Sequence, residues 1–318
     1  MFFPLLTKSP AKAAEFIRRG GLSAFPTETV YGLGADVFDE RAVEKIFIAK
    51  GRPPDNPLIA HVGNLEQIKL LASEITPAAQ EFIEAFFPSP LTLVLPKAKK
   101  VPLAATANLQ TVGVRMPNSP LALEFLKACA TPVVAPSANL SGKPSPTTWQ
   151  AVFEDLNGRI DCILQGEMTE IGLESTVVDC TCDVPLVLRA GAVSLEDLQK
   201  IVPETRTYRV KENEAVRSPG LKHRHYSPRA RVILVNSGFG IQDSGFQISD
   251  SSAFIGLNKP AQNFDLTKIC RSVEEYAHEV FNFFRECDRR AVEIIYCQTV
   301  EEKGIGAALM DRLKRSSQ

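Results

Sequence analysis

Along most of the chain, short apolar runs alternate with longer stretches in which apolar residues recur every three or four positions. The runs LSAF (22–25), PLIAHV (57–62), LTLVL (91–95) and TVGVR (111–115) read as strands. So do TPVVA (131–135), DCILQG (161–166), STVVDC (175–180) and PLVLRAG (185–191). Helical periodicity marks SPAKAAEFIRRGG (9–21), ERAVEKIFIAKG (40–51), NLEQIKLLA (64–72), PAAQEFIEAFF (77–87), SPLALEFLKACA (119–130), SPTTWQAVFEDLNG (145–158) and SLEDLQKIV (194–202). Ser9 and Ser194 are N-caps, Pro10 suits a first turn, and Gly51 stops its helix after the face formed by Val43, Ile46 and Phe47.

This rhythm breaks at about residue 202. Residues 203–217 are polar and aperiodic, and SPGLKHRHYSPRA (218–230) follows. So long a structureless span reads as a linker or a functional loop. The alternation then restarts with RVILVN, SAFIGL, the long helix SVEEYAHEVFNFFRECD, VEIIYC and the helix GIGAALMDRLKR. Alternating strands and helices predict an α/β protein. The expected division is a larger α/β domain over 1–201, a linker over 202–229 and a smaller Rossmann-like α/β domain over 230–318.

Composition narrows this picture. With 318 residues, 44% of them hydrophobic, the chain can bury more than one core. Its 36 basic and 37 acidic residues nearly cancel, so a global nucleic-acid-binding charge is absent, while a local basic cleft remains open. Seven scattered cysteines point to buried thiols in a reducing compartment, with Cys180 and Cys182 expected as a buried pair on one strand face. There is no signal-peptide pattern and no apolar run of bilayer length, so a soluble, cytoplasmic protein without membrane contact is expected.

The candidate chemistry sits in the connections. KGRPPDNPLIAH (50–61) sets Lys50, Arg52, Asn56 and His61 around three prolines, which hold the polar groups with little entropy left to lose. FPTETVYGLGA (25–35) is read as a loop of hydroxyls and glycines. It lacks the patterns of a phosphate loop or a dinucleotide fingerprint. APSANLSGKPSPTT (135–148) crowds hydroxyls, an asparagine and a lysine into a strand-to-helix connection. A helix starting at Ser145 or soon after would turn free N–H groups toward an anion. Arg115, Ser175 and Arg189 stand at strand ends, where polar groups converge on one cleft or simply meet solvent. No nucleophilic triad, no carboxylate pair and no three-residue metal cluster emerges, His223 and His225 lacking a third ligand.

Taken in order, PTETVYGLGA, KGRPPDNPLIAH, TVGVRMP, APSANLSGKPSPT, ESTVVD, LRAG and SPGLKHRHYSP resemble the two-domain form of the threonylcarbamoyl-AMP synthase family, a YrdC-like domain with a C-terminal extension. That resemblance implies a twisted, mixed, open sheet with a concave cleft, plus the smaller Rossmann-like domain. It implies that ATP, L-threonine and bicarbonate or CO2 give threonylcarbamoyl-AMP and pyrophosphate, the first step of threonylcarbamoyl-adenosine formation in tRNA. Lys50, Arg52, Ser137 and Asn139 then match the catalytic tetrad. Arg52, Asn56, Thr111, Ser137, Ser145, Arg189 and, from the linker, His225 or Tyr226 match ATP-binding positions. Thr29, His61, Arg115, Ala135 and Ser175 match L-threonine-binding positions, with Arg115 facing the carboxylate. Leu221 and His223 depart mildly from the family pattern, which has methionine and often tyrosine there. Mg2+ is expected on ATP rather than on side chains, with no organic cofactor. The expected downstream partners are threonylcarbamoyl transferase proteins, and weak tRNA or RNA contact stays open. Competing readings are an RNA-binding YrdC-like module without synthase activity and a carbamoyl-transfer domain of the hydrogenase-maturation type. The latter carries acylphosphatase and zinc-finger segments that this chain lacks.

Overall fold

A computed structural model describes residues 3–208, 226–236 and 251–317. His225, and with it Leu221 and His223, lies outside the described residues. The larger sheet is built from β1 (Leu5–Thr7), β2 (Ser23–Phe25), β3 (Gly32–Asp36), β4 (Ile59–His61), β5 (Leu91–Pro96), β6 (Thr111–Arg115), β7 (Val133–Val134), β8 (Cys162–Leu164), β9 (Thr176–Asp179), β10 (Leu186–Arg189) and β11 (Arg206–Thr207). Their order across the sheet is β1-β8-β2-β3-β7-β4-β6-β5-β9-β10-β11, with parallel and antiparallel neighbours mixed. A second sheet, all parallel, runs β12-β15-β13-β14 from Arg231–Val235, Ser252–Gly256, Leu266–Ile269 and Ile294–Gln298 (β12 to β15).

The helices are α1 (Pro10–Arg18), α2 (Glu40–Lys50), α3 (Ile68–Leu71), α4 (Pro77–Phe86), α5 (Pro120–Cys129), α6 (Trp149–Leu156), α7 (Leu195–Ile201), α8 (Val273–Arg289) and α9 (Ile305–Ser316). Side-chain caps start most of them: Ser9, Asp39, Thr76, Ser119, Thr148, Ser194 and Ser272 each accept from an N–H of the first turn. None of the helices among the described residues is long and apolar enough to cross a membrane.

The structure corrects several sequence readings. Residues 32–36, expected in a loop, form β3, because two glycines hid a strand. A Cβ on Gly34 would come within 2.8 Å of Val133 Cγ1, so glycine here permits close sheet packing. The helix expected from Ser145 or soon after starts at Trp149 behind its cap Thr148, so Ser145 itself precedes the helix N-terminus. β14 went unrecognised in the sequence. Cys182 lies beyond the end of β9 and is half-buried, whereas Cys180 is buried.

The sheet positions the site through its two faces. Ala60, Val112, Val114, Leu91, Leu93, Leu95 and Val178 point into the main core, where Val43, Ile46, Ile68, Phe82, Val152 and Leu198 cover them from the helices. On the opposite face α1 and α5 build a smaller core with Phe25, Val133 and Ala135. That cover stops at His61, whose ring meets the Phe25 ring edge-on at 5.8 Å. Beyond it the period of two leaves Ile59, His61, Thr111 and Arg115 on a face that neither of these cores covers.

Candidate active site

Over this bare face lies an open cleft of about 690 Å³, lined by Thr29, Arg52, His61, Arg115, Ala135, Ser137, Asn139, Ser145, Ser175, Arg189 and Tyr226, together with Lys143 and Glu174. Segments more than a hundred residues apart thus meet in one hollow. His61 and Arg115 are register partners across β4 and β6, and His61 is also paired with Val133 at the entry to the 135–148 loop. The backbone N–H of Ala135 donates to the Ile59 carbonyl at 2.8 Å, which sets that loop over the same sheet.

Among the described residues, three of those expected in the site do not line this cleft. Lys50 lies fully buried beneath it. Its ammonium donates to the carbonyls of Ser137 and, at 2.6 Å, Asn139, while the Ser141 N–H donates back to the Lys50 carbonyl at 2.9 Å. Lys50 therefore fastens the 137–141 loop from behind. Burial, and then the nearby Arg52 charge, push its pKa well below the usual lysine value. Asn56 is buried beside Arg52, whose Nη2 donates to the Asn56 carbonyl at 3.2 Å. Both amide atoms of Asn56 and the Arg52 Nε are buried without a protein hydrogen-bond partner. Thr111 lines an adjoining hollow of about 270 Å³ that shares Pro57, Leu58 and Ile59 with the cleft.

Within the cleft, Arg115 donates to the Thr29 hydroxyl at 2.8 Å and pairs with Glu28 at 2.8 Å, both charged groups being buried. Glu28 was passed over in the sequence, although it sits inside the quoted PTETV run. Arg189 donates through Nε to the Ser175 carbonyl at 3.0 Å and through Nη2 to the Ser175 hydroxyl at 3.1 Å. That hydroxyl also shares a hydrogen bond with Thr92 at 2.8 Å. Burial drives the Arg52 guanidinium down to about 10, with Arg189 adding to the effect, so it stays charged at neutral pH. Burial and the Arg115 charge push His61 down to about 3, so its ring is neutral. Its Nδ1 lies 3.2 Å from the Ile59 carbonyl, an acceptor that favours a proton on Nδ1.

The cleft therefore offers buried guanidiniums, hydroxyls and a neutral imidazole. Its carboxylate, Glu174, and the adjacent Glu28 are each tied to an arginine. No cysteine lines it. Such a site can bind and orient anions, and its chemistry is charge neutralisation rather than nucleophilic attack by the protein.

The comparisons with known proteins agree. The Sua5/YciO/YrdC family model, described as "Telomere recombination", matches residues 15–191, and one described as "Threonylcarbamoyl-AMP synthase, C-terminal domain" matches residues 193–318. A curated threonylcarbamoyl-AMP synthase of Pyrococcus abyssi is 44% identical over 96% of this chain and 93% of its own. One of Bacillus subtilis is 38% identical over 98% and 94%. The chain belongs to the two-domain threonylcarbamoyl-AMP synthase family. A crystal structure of P. abyssi Sua5 complexed with L-threonine superposes with a TM-score of 0.90 at 41% identity, covering 100% of this chain and 97% of that one.

In this member of the synthase family, the second domain reaches the cleft. Arg312 on α9 pairs with Glu174 at 3.0 Å, and Glu174 accepts a hydrogen bond from Ser145. Arg285 on α8 donates to the Pro144 carbonyl at 2.6 Å and to Asp155 at 2.8 Å. Tyr226 lines the cleft while its ring stacks on Phe281 at 5.5 Å and lies under the Arg312 guanidinium. Sequence reasoning assigned no role to either arginine.

Proposed function

We propose that this chain is an L-threonylcarbamoyladenylate synthase whose cleft holds ATP and L-threonine side by side. The carrying observation is the convergence of Arg52, Ser137, Arg189 and Arg115 on one hollow that supplies charge and hydroxyls without a nucleophile–base pair. In this reading the threonine amine captures CO2 and sheds a proton, giving a carbamate. A carbamate oxygen then attacks the α-phosphorus of ATP, the bond from that phosphorus to the bridging oxygen breaks, and pyrophosphate leaves. Arg115, Thr29, His61, Ala135 and Ser175 form the threonine side. Arg52, Asn56, Ser137, Asn139, Ser145, Arg189 and Tyr226 form the nucleotide side, with Thr111 in the adjoining hollow and His225 expected from the linker. Lys50 acts through the loop it fastens.

The donor set decides how a metal would enter. Among the described residues no group of three His, Cys, Asp or Glu side chains is arranged to hold an ion. The cleft's own carboxylate, Glu174, is engaged by Arg312 and Ser145. These residues fit an ion brought in as MgATP, held by phosphate oxygens and water.

The division at 1–201, 202–229 and 230–318 belongs to the same proposal and is supported by the separate core under the second sheet. So do a cytoplasmic location and hand-over of the product to a threonylcarbamoyl transferase acting on tRNA. An RNA-binding module fits less well, because Arg115 and Arg189 are only 3% and 8% exposed and cannot reach a polynucleotide backbone. The test is pyrophosphate release by purified protein given MgATP, bicarbonate and threonine. Release that needs threonine, is poor with serine and is lost in Arg52→Ala supports the reading. Release indifferent to threonine refutes it.

A further inference from the structure

Residues 172–174 belong to the first domain by sequence and to the second by packing. Gly172 has a φ of +82°, and a Cβ there would lie 2.5 Å from the His278 carbonyl oxygen on α8, so the backbones are in close contact. Leu173 is buried in the second domain's core. Glu174 pairs with Arg312, and the next residue, Ser175, faces the cleft. Arg312 is the largest fully buried side chain among the described residues, and it does not itself line the cleft.

The second arginine grips the opposite wall. Arg285 joins the Pro144 carbonyl to Asp155, and Asp155 in turn pairs with Lys143 at 2.8 Å and accepts from the Leu140 N–H at 3.3 Å. Burial alone would raise the Asp155 carboxyl, but the hydrogen bonds from Arg285 and Lys143 hold it below its ordinary value. The Ser145 hydroxyl bonds Glu174, so the two grips meet at one contact inside the cleft.

We propose that Arg312 and Arg285, carried on the two helices of the second domain, are positioning residues that fix the cleft walls, Arg285 the Pro144–Ser145 wall on the nucleotide side and Arg312 the Glu174–Ser175 wall, which serves the nucleotide through Ser145 and threonine through Ser175. This rests on the synthase reading only for the identity of the ligand. The second domain then serves the site as a rigid back plate. Both cations are buried, Arg285 gripping the Pro144 carbonyl and Asp155, and Arg312 gripping Glu174 as well as Asp311 on its own helix, so loosening Arg285 frees the nucleotide wall alone, while loosening Arg312 also frees Ser175 on the threonine side.

The test uses the full chain with Arg312→Lys and, independently, Arg285→Lys. Each keeps a positive charge but shortens the reach: Arg312 loses the Nε and Nη1 donors that hold Glu174 and Asp311, and Arg285 loses the Nη2 that serves both Pro144 and Asp155. Calorimetry should show the α,β-methylene analogue of ATP binding about 10-fold more weakly to either variant, with L-threonine affinity unchanged in Arg285→Lys and also weakened in Arg312→Lys. Hydrogen exchange of the ligand-free protein should show amides at 140–145 and 172–176 exchanging about 10-fold faster, while β5 and β6 stay protected. Adding Glu174→Gln to Arg312→Lys should cost little more, since both changes break one contact. Equal loss of both ligands in Arg285→Lys, unchanged threonine affinity in Arg312→Lys, or unchanged exchange in the two segments, overturns the proposal. Should the wild type release no threonine-dependent pyrophosphate, the synthase reading falls, and the exchange result still decides the bracing. Either variant suffices if the other does not fold.

Discussion

His61 gives the sharpest quantitative expectation. Its ring is 4% exposed, and burial together with the Arg115 charge lowers its pKa from 6.5 to about 3, the carbonyls of Ile59 and Val133 offsetting only part of this. In the unfolded chain the ring takes up a proton near pH 6.5, whereas in the fold it stays neutral down to about pH 3. The unfolded state therefore binds more protons throughout that window. Stability from this group is complete above the unfolded pKa and is lost as the pH falls through it toward the folded value. Between pH 7 and pH 5 the loss is about 2 kcal/mol, and it approaches roughly 5 kcal/mol once the folded ring also titrates. The assay is urea unfolding of the wild type and His61→Gln at both pH values, so that every other titrating group cancels in the difference. The wild type should lose about 2 kcal/mol more than the variant between pH 7 and pH 5. Parallel losses would refute a neutral, buried imidazole. The same pKa makes His61 a poor base at neutral pH, so proton removal from the threonine amine falls to water or to the substrates themselves.

Arg115→Ala should raise the threonine requirement by about 10- to 100-fold, seen in threonine titrations of pyrophosphate release, because a charge-assisted hydrogen bond is lost. It should also destabilise the fold by about 3 kcal/mol by stranding buried Glu28, and adding Glu28→Gln should recover stability but not threonine affinity. Lys50→Met removes the donor shared by the Ser137 and Asn139 carbonyls and should weaken ATP binding more than threonine binding in paired calorimetric titrations. In Gly191→Ala the new Cβ would lie 2.2 Å from the Thr176 nitrogen and 2.5 Å from the Ser175 carbonyl carbon. Backbone against backbone cannot yield cheaply, so thermal melts should show a loss of about 2 kcal/mol or more, with threonine affinity falling as Ser175 shifts.

Local chemistry made much of this protein legible from its sequence alone. The spacing of apolar residues and the Ser, Thr and Asp caps located most helices. The prolines around Arg52 marked a stiffened cationic loop, and the ordered motifs pointed to a family that both the family models and the fold support. Period two in TVGVR already put Thr111 and Arg115 on one face. A cation in register with Ala308 and Leu309 on α9, and another in register with Phe281 on α8, were visible too, as charges on apolar stripes. What no local pattern could supply was their partners. Glu174 lies 138 residues from Arg312, and Pro144 lies 141 residues from Arg285, so only the packing of one domain on the other brings them together. Tertiary packing likewise made Lys50 a brace rather than a cleft cation and turned a glycine-rich loop into β3. Sequence fixes what each group can donate or accept, while burial and proximity, which decide what it does, arise only when distant segments share one desolvated space.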